Sequence, residues 1–210
     1  MQTPMGYAGD RYGPRHVLMF GLVLAGVAYL AIGLFPNYAW ILIGSAMMGV
    51  ANAVFHPADY AILGTVIEPS RLGKAFSYHT FAGFLGSAMA PMAMLAMAGA
   101  IGPGPAIAVS GAVAILIAVP LLWAKWLDGS RTAASAAAAQ PSIPLRQLLT
   151  PQVLGLVGFF TLLSLSSGAL TNYSAVALTQ VYGIELNAAN VALSGYLFLN
   201  ATGVLAGGYI

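Results

Sequence analysis

Charge is what this sequence has least of. Only 6% of its 210 residues are Asp, Glu, Lys or Arg, against roughly a quarter in a soluble globular chain. Seven basic and five acidic groups cannot cover a water-facing surface, which excludes a soluble enzyme, a nucleic-acid binder and a disordered tail. A net charge of +2 offers little to a polyanionic partner. Cysteine is absent, so disulfides, thiolate metal sites and cysteine nucleophiles are excluded, while the redox compartment is left open. There is no phosphate-binding loop, no Gly-x-Ser-x-Gly and no His-x-x-x-His pair, so no enzymatic activity, cofactor or metal is expected. The first fifteen residues lack the apolar centre of a signal peptide.

Apolar sequence is what fills the space. Hydrophobic residues make up 60% of the chain, and its mean hydropathy is +0.86. A spanning helix needs about 20 such residues. Six runs meet that test, at 17–35, 38–67, 75–101, 105–124, 153–182 and 188–210. None alternates polar with apolar, which argues against a transmembrane barrel. The expected fold is an all-α integral membrane protein, a polytopic bundle of six helices in the lipid bilayer. All seven Lys and Arg fall before the first run, between the second and third, or between the fourth and fifth. The intervening connections at 36–37, 102–104 and 183–187 hold none. The positive-inside rule then puts the start of the chain and the 128–150 segment in the cytoplasm. That segment is small, polar and punctuated by proline, the composition of a linker, with a short interfacial helix conceivable at 143–149.

Ahead of the first run stands Gly6-Tyr7-Ala8-Gly9-Asp10-Arg11-Tyr12-Gly13-Pro14-Arg15-His16. Gly6, Gly9 and Gly13 suit a tight turn at the membrane face, Arg11 and Arg15 suit cytoplasmic anchoring, and Asp10 can cap or pair across a helix end. The segment resembles the signature loop of the major facilitator superfamily, G-x-L-a-D-[RK]-x-G-[RK]-[RK], with Ala8 in place of the usual Leu. The resemblance implies a secondary carrier of two related six-helix halves working by alternating access. In that family the loop joins the second and third helices, so Gly6, Asp10, Arg11, Gly13 and Arg15 become gating candidates. The six runs then become helices three to eight of an internal fragment. Residues 1–127 carry helices three to six, 128–150 the central linker, and 151–210 helices seven and eight. Gly208-Tyr209 repeats Gly6-Tyr7 where a second copy of the loop would begin. The partners implied are a small solute, possible protons and the missing helices, and short outer loops with abundant alanine fit a bacterial inner membrane.

Ionisable groups inside a bilayer are costly and mark function by default. His56, Asp59 and His79 are those groups here. His56 and Asp59 share a helical face, and Asp59 and His79 each lie ten residues from Pro69, the turn between their helices. All three can form one inward cluster, acting as a proton relay, a substrate contact or a polar clamp. Pro57 and Pro91 each remove a helix donor and are expected to kink their helices. Phe55-His56-Pro57 with Ser77, Gly83, Gly86 and Pro91 resembles the fosmidomycin-resistance-type branch of the superfamily over residues 55–91. Two departures from the family stand out. Ser45 occupies the place of the helix-four Arg carried by many proton-coupled members, and the antiporter pattern of helix five is reduced to residues 86–91, favouring efflux only slightly. Asn172, Tyr173 and Asn200 interrupt the last two runs and are candidates for lining the cavity or for interhelical hydrogen bonds. A non-transporting membrane enzyme or assembly scaffold is the competing reading.

Overall fold

The structure, a computed structural model, describes residues 2–129 and 150–209, the side chains of 2–4, 10, 128 and 129 apart. The expected linker and the helix at 143–149 therefore lie outside the described residues. Among those described, every regular element is helical. The helices are α1 (Gln2–Tyr12), α2 (Pro14–Leu34), α3 (Tyr38–Val66), α4 (Leu72–Ile101), α5 (Pro103–Ala118), α6 (Pro151–Tyr182) and α7 (Leu186–Gly207). Short 3-10 turns occupy Pro69–Arg71, Val119–Leu122 and Lys125–Gly129. Six helical segments are long and apolar enough to cross a membrane: α2, α3, α4 with the turn before it (Pro69–Ile101), α5 with the 3-10 turn after it (Pro103–Leu122), α6 and α7. They begin and end within a few residues of the six apolar runs.

The starts follow from local chemistry. The Asn37 side chain accepts the Trp40 N–H at 3.1 Å and the Thr150 hydroxyl accepts the Val153 N–H at 3.3 Å, each capping a helix. Pro14, Pro103 and Pro151 occupy the first turn of their helices, where a missing donor costs nothing. At the other end of α6, Gly183 adopts the left-handed conformation and closes the helix back on Leu178.

The chain divides into two compact units. The first takes in α1, α2, α3, both ends of α4, and α5. Here α2 packs against α3 and α5, and α1 against α2 and α3. The α2–α5 seam is made of backbone: a Cβ on Gly33 would lie 2.5 Å from the Ala108 nitrogen and 2.6 Å from the Gly104 oxygen. One on Gly26 would lie 2.7 Å from the Gly111 oxygen. Lipid is as apolar as leucine, so helices in it gain little by turning large side chains inward and associate through small residues. Val54 is accordingly the one large side chain that is fully buried among the described residues, and it clusters with Val17 and Ala58. The second unit holds Thr80–Met92 of α4 together with α6 and α7, which pack on each other.

Candidate functional site

The motif ahead of the first span is more helical than its glycines imply. Gly6 and Gly9 lie within α1, correcting the expectation that they form the turn. The reversal is confined to Gly13, whose φ of 91° suits glycine alone, and Pro14 then starts α2. Gly6 serves packing instead: a Cβ there would sit 3.9 Å from the Cβ of Pro57, so α1 rests on the proline of α3. Arg11 is exposed, its guanidinium 5.6 Å from the centre of the Tyr12 ring. The side chain of Asp10 lies outside the described residues.

Arg15 departs furthest from expectation. It is 8% exposed and not a surface anchor. One guanidinium nitrogen donates to the carbonyls of Leu121 and Leu122, at 2.8 and 3.1 Å, and the other lies 3.2 Å from His16 Nε2. Those carbonyls close the 3-10 turn that ends the fourth span, where the helix supplies no further donors. A cation there also opposes the negative end of the helix dipole. Arg15 thus ties the start of α2 to the end of the fourth span.

Beside this motif runs an apolar groove of about 570 Å³ lined by Met5, Ala8, Tyr12, His16, Val17 and Phe20. The spacing of Met5, Ala8 and Tyr12 is that of one helical face, a signal legible only once α1 is recognised as a helix.

Deeper in the first unit, Asp59 of α3 meets His79 of α4, Oδ2 to Nε2, at 3.4 Å. The side chains are 18% and 37% exposed, so the pair is shielded without being sealed. The turn Pro69–Arg71 reverses the chain midway between them, which gives both the same depth. At 1.5 Å per residue that depth is roughly 15 Å from the turn. A carboxylate beside an imidazole can exchange a proton near neutral pH, directly or through one water.

His56 lies near enough to Asp59 to act on its charge. It is exposed, and its ring rests on Tyr60 at 5.5 Å. Tyr60 in turn meets Phe76 edge-on at 5.0 Å, joining α3 to α4 beside the Asp59–His79 contact. Tyr60 and Phe76 carried no polar signal in the sequence, and only the hairpin geometry reveals them. Pro57 and Pro91 sit inside helices that run on past them. In the second unit, Asn172 is exposed and donates to the Gly168 carbonyl at 2.8 Å, Tyr173 is 69% exposed, and Asn200 is half-buried.

Known proteins of similar sequence bear on this arrangement. The sequence profile of the Major Facilitator Superfamily matches residues 1–210. The Fosmidomycin resistance protein of Escherichia coli (strain K12) is 23% identical over 99% of this chain and 52% of its own length. The 3-(3-hydroxy-phenyl)propionate transporter of the same organism is 32% identical over 75% of this chain and 40% of its own length. Dipeptide and tripeptide permease A of Pectobacterium carotovorum subsp. carotovorum (strain PC1) is 30% identical over 80% of this chain and 32% of its own length. The chain thus spans between about a third and a half of these relatives. No solved structure matches. With a match along its whole length and six apolar helices following the glycine–Asp-Arg motif, the chain is a multi-pass membrane protein that belongs to the Major Facilitator Superfamily.

Proposed function

We propose that this chain supplies helices three to eight of a twelve-helix secondary carrier that moves a small solute by alternating access, coupled to protons. In this reading α2 to α5 complete the first half, residues 128–150 are the cytoplasmic linker, and α6 and α7 open the second half. The motif at residues 6–15 lies on the cytoplasmic side of a bacterial inner membrane, where its charges and Arg15 brace the gate. The observation that carries the coupling is the 3.4 Å contact of Asp59 with His79 between two membrane helices. Ser45 stands where many proton-coupled members carry an Arg, so the Asp59–His79 pair is assigned the proton in its place. Efflux is the direction favoured, on the glycine–proline pattern at 86–91 alone. The relatives named as transporters, a permease and a resistance protein support solute transport as a class, without naming this solute.

The test uses the whole protein in proteoliposomes, with a solute identified by a transport screen. Asp59→Asn is expected to abolish acceleration by a pH gradient while solute exchange at equal pH continues. Loss of both in proportion to a fall in insertion yield would make the pair a structural clamp and overturn the coupling.

A further inference from the structure

Between Gly44 and Ala61, α3 leaves Ser45, Ala46, Gly49, Asn52, His56 and Tyr60 exposed. Apart from Ala46 they recur at steps of three or four, so they form one stripe along the helix. No Leu, Ile, Val or Met is among them. A stripe turned to lipid would carry such residues, because hydrocarbon offers an amide, an imidazole and a phenol nothing to bond. This face is therefore suited to water, and to a solute where the carrier reading holds.

Toward the Pro69–Arg71 turn the stripe becomes aromatic and gains a charge. Centre to centre, the His56 ring lies 5.5 Å from Tyr60, and the Tyr60 ring 5.0 Å from Phe76 of α4. Asp59 stands in the same turn of α3, its carboxylate near enough to feel both His56 and His79. The sign of the charge decides what can bind. Asp59 is the only acidic residue in 38–67 and 75–101, and neither stretch contains Lys or Arg. An anion would have to be held by imidazoles, which are mostly uncharged near neutral pH. A cation meets a carboxylate together with aromatic faces, whose quadrupole attracts it within about 6 Å of the ring centre. A hard inorganic ion takes several oxygen ligands, whereas the groups gathered here are mostly rings.

We propose that Asp59, Tyr60 and Phe76, with His56, bind an organic cation with an apolar body, of the quaternary ammonium or phosphonium class. His79 engages Oδ2 of Asp59, and the charge of the ligand is met at Oδ1. As a statement about the solute the inference rests on the carrier reading, while the binding itself requires no transport.

The test uses the whole protein purified in detergent, with two probes of one shape and opposite charge. Each is titrated separately by calorimetry, with protein-free micelles as the blank. Tetraphenylphosphonium should bind saturably and tetraphenylborate should not. Asp59→Asn and Tyr60→Leu should each weaken phosphonium binding about tenfold, within the range expected for a cation drawn from water onto a ring. Tyr60→Trp carries the ring that cations prefer and should hold the affinity or raise it. It decides the matter where size-exclusion chromatography shows Tyr60→Leu to be misfolded, and a tenfold loss there counts against the site. No binding of the phosphonium, equal binding of the two probes, or affinity indifferent to Asp59 or to Tyr60 overturns the proposal. The carrier reading fails by a different route. Phosphonium bound as expected, with no solute moved in proteoliposomes, would leave a binding protein in place of a carrier.

Discussion

Arg15 carries a full charge in a place where its alternatives are poor. With the guanidinium removed, the carbonyls of Leu121 and Leu122 lose their donor. A fully buried acceptor left unmet costs about 1–3 kcal/mol, and these bonds are only partly buried, so Arg15→Ala should lower the thermal stability of the detergent-solubilised protein by up to that order. Arg15→Lys should recover only part of it, because a point charge on a flexible stem cannot bridge two carbonyls as a planar fork does. Thermal unfolding followed by size-exclusion recovery measures both; equal stability of all three would remove Arg15 as a tie. Asp59 and His79 call for a different comparison. If they pass one proton as a unit, Asp59→Asn/His79→Gln should lose no more pH-driven transport than Asp59→Asn alone. Additive losses would mean two independent roles. The unequal legibility of these residues has a physical cause. A hairpin converts distance from its turn into depth, so the meeting of Asp59 with His79 is readable from Pro69 alone. The Arg15 contact joins residues 106 apart in sequence, through the packing of the first span on the fourth, and no local pattern carries it.

Among the elements, apolarity alone locates the six spans, since lipid demands about 20 apolar residues from each of them. It misses α1, where Asp10 and Arg11 follow a short mixed sequence, and a helix ending in glycine reads as a loop. Nor does it find the seam of the first unit. The chain has 25 glycines, and nothing in their spacing separates Gly33 from Gly99, whose Cβ would meet nothing within 4 Å. That contrast is itself a prediction. Gly33→Ala must push α5 off α2 against backbone atoms and should cost about 1–3 kcal/mol, the usual range for overpacking. Gly99→Ala should be neutral or slightly stabilising, since alanine is the better helix former. The thermal measurement used for Arg15 separates them, and equal effects would deny the seam its role. Orientation is decided by the connections between elements. The turn Pro69–Arg71 carries Arg71 and is followed by Lys74, while the connection at Asn37 carries no basic residue. The positive-inside rule therefore expects a cysteine at Ser70 to resist an impermeant thiol reagent added outside intact cells. A cysteine at Asn37 should react with it. The reverse pattern would invert the proposed topology.

At the scale of the molecule, the second unit is short of partners. No residue of α6 is buried, and Phe159, Phe160, Leu162 and Leu165 all stand open. Large apolar side chains can face lipid at no cost, but α6 also leaves Asn172 and Tyr173 exposed, which lipid does not satisfy. A helix with polar groups on an uncovered face is built to pack on further helices or to line water. The relatives supply the scale, since each is about two to three times the length matched by this chain. Alternating access in carriers of this kind rocks two six-helix halves about a central site. On the proposed assignment the second half is represented here by two helices, so the rocking partner is incomplete. The 210-residue chain expressed alone should therefore insert, because each span is hydrophobic enough by itself, yet fail to transport. It should also associate non-specifically through the open faces of α6, which a concentration-dependent shift in size-exclusion chromatography would register. Reconstitution into proteoliposomes decides the main point. No uptake above that of empty vesicles is expected for a solute that the longer protein carries. Saturable, solute-specific uptake by the 210-residue chain would instead make it a six-helix carrier in its own right, and the assignment to helices three to eight would fall with it.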